Sequence, residues 1–168
     1  MYYLNYFFLY SIIGYLFETI FLFLIHNGGN SGYLYGPWTP VYGIGIILII
    51  LISNFVFKNI KKNKIIQSII IFLWVSLALT IIEWIGGITI EYLFHVTFWN
   101  YSKFKLAMGK YVAIEISLVW GVLALEFIYL FKDISDKLVN KIPKWLTYTL
   151  VVLFIIDNIF SILKYTKS

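Results

Sequence analysis

Five long apolar runs, at approximately residues 4–25, 41–57, 65–90, 111–131 and 146–164, constrain this chain more than any other feature. A helix crossing the roughly 30 Å hydrocarbon core needs about 20 apolar residues at about 1.5 Å each. The sequence therefore predicts an all-α integral membrane bundle with about five transmembrane helices. Charged residues make up only 12% of the chain, about half the share of a soluble domain. Little is left outside the runs, so residues 1–168 read as a single multi-pass membrane domain.

The positive charge sits between the runs. All 13 basic residues are lysines, and the net charge is +5. Lys58, Lys61, Lys62 and Lys64 crowd the second connection, and Lys132, Lys137, Lys141 and Lys144 fill the fourth. Lys103, Lys105, Lys110, Lys164 and Lys167 fall on the opposite side. Eight against five, under the positive-inside rule, places the N-terminus in the cytoplasm and the C-terminus outside a cell membrane. No basic recognition face is present, so nucleic acid is not an expected partner. The lipid bilayer is, and a bundle this small calls for a homo-oligomer or a partner membrane subunit to form a pathway. The N-terminus carries no lysine before its apolar run and no A-x-A cleavage pattern, so it reads as a retained first helix.

Acids inside membrane runs are costly unless they face a partner, a bundle interior or a wet cavity. Glu18, Glu83 and Asp157 each sit in a different run at matched depth, which predicts one polar site in the outer half of the bundle. In the third run Thr80, Glu83, Gly87, Glu91 and His95 recur at steps of three or four and share a face if the helix is continuous through Gly86-Gly87. Gly87 then lets another backbone approach between two acids. Ser11, Gly14 and Glu18 share a face in the first run, Glu115, Val119, Val122 and Glu126 in the fourth, and Asp157, Ser161 and Lys164 in the last. Ser161 and Lys164 are the expected local partners of Asp157. Lys110 is an expected interfacial partner of Glu115.

Two outer segments complete the basin. GYLYGPWTPVYG at 32–43 has Gly36, Pro37 and Pro40 to set turns and Tyr33, Tyr35, Trp38 and Tyr42 to sit at headgroup level or line a cavity. The second holds His95, Trp99 and Tyr101. Candidate pathway residues are thus Glu18, Glu83, Glu91, His95, Trp99, Tyr101, Glu115 and Asp157, with Tyr35, Gly36, Pro37, Trp38 and Pro40 as a fixed outer loop. Carboxyls with aromatic faces can hold a cation or relay protons. In apolar surroundings carboxyls can also keep and donate protons to a lipid substrate.

Cysteine chemistry is excluded, since the chain has no cysteine. No P-loop, nucleophile elbow or H-E-x-x-H is present. His26 and His95 with Glu91 could form a partial metal site, but a lone His at a membrane edge is more often an interfacial hydrogen bonder, so no metal and no cofactor is expected. A faint internal repeat pairs Tyr15-Leu16-Phe17 with Tyr92-Leu93-Phe94, each leading to an aromatic outer loop.

FFLYSIIGYLFETI (7–20), GYLYGPWTPVYG (32–43), EWIGGITIEYLFHVTFWNYS (83–102) and GKYVAIEISLVWG (109–121) together resemble the putative ABC-transporter type IV, or CmpB-like, family of small bacterial multi-pass membrane proteins. Asp157 to Ser161 fits that family's last helix. The resemblance implies a permease-like protein without its own ATPase. The family reads W-D-Y-S where this chain has Trp99-Asn100-Tyr101-Ser102, so no acid role passes to position 100. Trp99, Tyr101, Gly109 and Glu115 also look a little like membrane carotenoid cyclases, but the paired glutamates and the proline of those enzymes are absent here. The expected function is transport of a small solute or ion. The alternatives are an intramembrane enzyme acting on a lipid or isoprenoid, and a non-catalytic scaffold.

Overall fold

The computed structural model describes residues 1–26, 34–61 and 63–166. Tyr33, Lys62, Lys167 and the side chain of His26 lie outside the described residues. The described chain is all-α. Its elements are α1 (Tyr2–His26), α2 (Pro40–Asn59), α3 (Lys64–Phe94), α4 (Ile114–Glu126), a π-helical segment (Phe127–Phe131), α5 (Lys132–Val139) and α6 (Lys144–Thr166). Five helical stretches are long and apolar enough to cross a membrane, with α4, the π segment and α5 counting as one. This is a membrane-embedded protein, and its helices show why. Leu24 is 74% exposed and Tyr92 79% exposed, a surface stable only against lipid.

Local chemistry sets the helix ends. Pro40 takes the first position of α2, where its missing N–H costs nothing. The Asn63 side chain accepts the Ile66 N–H at 2.9 Å and caps α3. His95 closes α3 in the left-handed region at φ 55°, its N–H bonded to the Glu91 carbonyl. α3 runs unbroken through Gly86-Gly87, about 46 Å at 1.5 Å per residue, longer than the hydrocarbon core is thick.

The fourth run differs from expectation at both ends. Its helix starts at Ile114 rather than 111, and residues 132–139, expected as a lysine-rich loop, are helical. Lys132 and Lys137 therefore ride on α5, and the connection shrinks to 140–143. In the π segment the Lys132 N–H reaches the Phe127 carbonyl, five residues back.

Two compact units divide the chain. Unit 1 holds residues 1–47 and 133–168, and unit 2 holds residues 48–132. In unit 1, Phe8, Leu34 and Trp38 form a buried cluster against Phe7, Leu150, Val151 and Phe154. In unit 2, α3 packs along α4. Gly121 makes this close approach possible, since a Cβ there would collide with Ser76 and lie 2.6 Å from the Phe72 ring.

Candidate functional site

Unit 2 carries the stripe that the spacing on α3 predicts. Thr80 and Ser117 of α4 sit with their hydroxyls 2.6 Å apart. One turn on, the Glu83 carboxyl is buried, 8% exposed, and accepts the Tyr101 hydroxyl at 3.1 Å. The Trp120 indole N–H approaches the same carboxyl without full hydrogen-bond geometry. Gly87 faces the Tyr111 ring so closely that a Cβ would collide with it. Glu91 then accepts the Tyr111 hydroxyl at 2.6 Å and forms an ion pair with Lys110. Thr80, Glu83, Gly87 and Glu91 thus share one face, turned toward α4 and the loop 96–113. His95 does not join it as a side-chain partner. It is exposed and serves as the backbone cap of α3.

The loop 96–113 folds back by its own backbone bonds. Tyr101 N–H donates to Lys110 at 2.8 Å, Met108 to Val112 at 2.8 Å and Ile114 to Leu106 at 3.1 Å. Gly109 supplies the turn at φ 96°, which L side chains rarely adopt. This return carries Lys110 and Tyr111 to Glu91, while Trp99 packs edge-on against Tyr111 with centroids 5.8 Å apart. The Glu91 hydrogen bond, above all, raises the Lys110 pKa and holds its charge. Lys110 is therefore not the partner of Glu115. Glu115 accepts the Leu106 N–H at 2.9 Å through one oxygen. Its other oxygen and the Trp99 indole N–H are buried without a partner among the described residues.

Unit 1 holds the third acid in a different setting. Asp157 on α6 is 9% exposed and accepts the backbone N–H of Tyr35 at 3.0 Å, that of Gly36 at 2.9 Å and the Trp38 indole N–H at 2.6 Å. Ser161 adds a long contact at 3.4 Å. Lys164, expected beside Asp157, lies over the Tyr35 ring, 5.0 Å from its centroid. Gly36 has to be glycine for close approach, since a Cβ would lie 2.5 Å from the Trp38 indole. Pro37 is exposed and Pro40 begins α2. Glu18 is half-buried on α1, with the Thr39 hydroxyl at a long 3.5 Å. Glu18 and Glu83 belong to different units, each with its own polar neighbours.

A stripe that the sequence reading passed over lies at the other end of α1. Tyr2 and Tyr6 both donate to Asp136 of α5, at 2.6 and 2.9 Å, and Tyr10 lies 2.6 Å from the Ser135 hydroxyl. Asn5 joins Thr147 at 2.6 Å and the Val139 carbonyl at 2.9 Å. Tyrosines at positions 2, 6 and 10 are one helical turn apart, and that spacing was the available signal.

The units also share a local device. In unit 1 the Tyr42 ring covers Gly14, four residues before Glu18. In unit 2 the Tyr111 ring covers Gly87, four residues before Glu91. The structural match pairs Glu18 with Glu91, four residues away from the register given by Tyr-Leu-Phe, which pairs Glu18 with His95.

Among known proteins, the model of a family described as putative ABC-transporter type IV matches residues 5–162, nearly the whole chain. No curated protein and no solved structure matches it.

Proposed function

This chain belongs to the putative ABC-transporter type IV family, and we propose that it moves a small cation or a proton across the membrane as a transporter or permease-like subunit. The observation that carries the reading is the buried Glu83 carboxyl in the outer half of a membrane-length helix, met by Tyr101 from a non-helical loop. A carboxyl at such a place is a functional group by default. Irregular backbone at membrane depth belongs where it is buried or lines a cavity. Glu91, Lys110, Tyr111 and Trp99 provide a charged and aromatic entry to it; among the described residues the Glu115 oxygen and the Trp99 N–H have no partner, and the oxygen can contact a passing cation while the N–H can donate to its water. The sequence has no nucleotide-binding motif, so ATP energy would come from another subunit. A homo-oligomer or a partner membrane subunit would complete the pathway. We place the lysine-rich α2–α3 end in the cytoplasm, with the N-terminus inside and the C-terminus outside.

Reaction on a lipid is less well supported. The open apolar groove of unit 2 is lined by no carboxylate, and its last α3 residue, Leu73, is about 15 Å along α3 from Glu83.

Purified protein in liposomes, carrying an internal pH dye and outward gradients of sodium or potassium, tests the proposal. Flux above empty vesicles is expected for one of these ions, and Glu83→Gln should lower it more than tenfold with an unchanged circular-dichroism spectrum. Full flux in Glu83→Gln overturns it.

A further inference from the structure

We propose that unit 2 binds one anionic phospholipid in the groove between α3 and the α4–π stretch, with the lipid phosphate at Lys64 and one acyl chain along α3 toward Leu73. The proposal is independent of the transport reading.

The groove has a volume of about 680 Å³ and opens to the side. Ile65, Ile69, Phe72 and Leu73 on one wall and Leu125 on the other give it an apolar lining. Its polar groups gather at one end, where Lys64 stands beside the Ser68–Tyr129 hydroxyl pair, 2.7 Å apart. The π-helical turn carries Tyr129, and such turns recur at functional sites because the extra residue re-aims the side chains around it. An apolar trough with a cation at one end has the layout of a phospholipid, charged at one end and hydrocarbon beyond.

Length fits a single chain of one leaflet. From Lys64 to Leu73 is about 13 Å of helix at 1.5 Å per residue. Half of a roughly 30 Å hydrocarbon core is about 15 Å. The groove therefore starts at headgroup level and ends near the midplane.

Charge selects the headgroup. Lys64 begins α3, Lys61 lies in the α2–α3 connection and Lys58 in the last turn of α2, all exposed, and none has an acidic partner among the described residues. Glu126 on α4 is exposed and does not line the groove. Three unpaired lysines at one membrane surface favour an anionic headgroup over a zwitterionic one. A second copy of the chain would bring its own lysines to the same end and oppose them.

Native mass spectrometry of the full chain in detergent, titrated with phosphatidylglycerol or phosphatidylcholine, reads the preference. Phosphatidylglycerol should be retained over phosphatidylcholine. Lys64→Gln should weaken that retention about fivefold, the usual worth of one lysine at a lipid surface, and Lys64→Arg should preserve it. Leu125→Trp, which fills the trough, should reduce retention of both lipids, and Lys105→Gln in the loop 96–113 should change neither. Equal retention of the two lipids, or no effect of Lys64→Gln, overturns the proposal. So does a Leu125→Trp protein that changes its monomer–dimer ratio and not its lipid retention, since the groove is then a contact between copies. If Leu125→Trp does not fold, the Lys64→Gln and Lys64→Arg pair decides alone.

Discussion

Asp157 and Glu83 are both buried acids on membrane-length helices, and their hydrogen-bond surroundings differ. Asp157 faces three N–H donors, two from the backbone and one from an indole ring. Both of its oxygens are used within the chain, and the donors are fixed by a short loop. Glu83 has one hydroxyl at hydrogen-bond distance, from a tyrosine side chain that can turn away, with the Trp120 indole N–H close by. A fully satisfied acid rigidifies, and a partly satisfied one has capacity left for a ligand or water. Unit 1 also keeps unpartnered hydroxyls at Ser11 and Thr19, so the contrast concerns the two acids and not whole units. In this reading Asp157 latches the loop 34–39 to α6, and Glu83 handles the ion.

The largest effect expected of any substitution that tests the contrast is Asp157→Ala. It strands the Tyr35, Gly36 and Trp38 N–H groups beside the Phe8–Trp38–Phe154 cluster. Each unpaired buried group costs about 1–3 kcal/mol. Partial hydration spares some of that, so a loss of about 3 kcal/mol is expected in detergent unfolding. Asp157→Asn should recover only part, because its amide nitrogen meets donors. A stable Asp157→Ala protein with impaired flux would reverse the roles assigned here.

Gly87→Ala comes next. The added methyl meets the Tyr111 ring, so α3 or the loop has to shift. Overpacking of this kind costs about 1–3 kcal/mol. The loop should also become easier to cleave near Lys105 by trypsin. Unchanged stability and proteolysis would mean that the Tyr111–Glu91 contact does not hold the loop in place.

Some of this was legible in the sequence, for physical reasons. Long apolar runs give membrane helices whatever their packing, and steps of three and four put Thr80, Glu83, Gly87 and Glu91 on one face. What the sequence hid depends on backbone. The donors to Asp157 include two peptide N–H groups, which no residue type announces. Lys110 pairs with Glu91 rather than Glu115 because the turn at Gly109 reverses the chain. Residues 132–139 looked like a charged loop, yet the segment is helical with Ser135 and Val139 buried, and Asp136 takes its partners from tyrosines more than 100 residues away.

A smaller effect is expected from Tyr101→Phe. It removes one hydroxyl from Glu83 and leaves the ring, so stability should fall by about 0.5–1.5 kcal/mol. Flux should change more than stability does if Glu83 is the working acid, since its remaining partners no longer orient it. The same change in both measurements would make Glu83 a structural acid like Asp157, and the distinction between the two would fail.

The smallest effect belongs to Lys110, and its pH and salt dependence separates an adjustable contact from a latch. Lys110 and Glu91 are 34% and 45% exposed, so water and salt screen their attraction. Hydrogen bonding to Glu91 raises the Lys110 pKa. A raised lysine pKa contributes stability that is fully present below the ordinary value of about 10.4 and is lost as pH climbs through the folded-state value. The difference in melting temperature between the wild type and Lys110→Gln should therefore stay level from about pH 7 to pH 9 and shrink only above about pH 10.4. Raising the salt to about 1 M, where the screening length is about 3 Å, should shrink it at every pH. The Asp157 contacts, made by uncharged N–H and O–H donors to a carboxyl that is 9% exposed, should show no such salt response. A difference between wild type and Lys110→Gln that is insensitive to salt would place Lys110 in the rigid frame of unit 2 and take it off the proposed entry to Glu83.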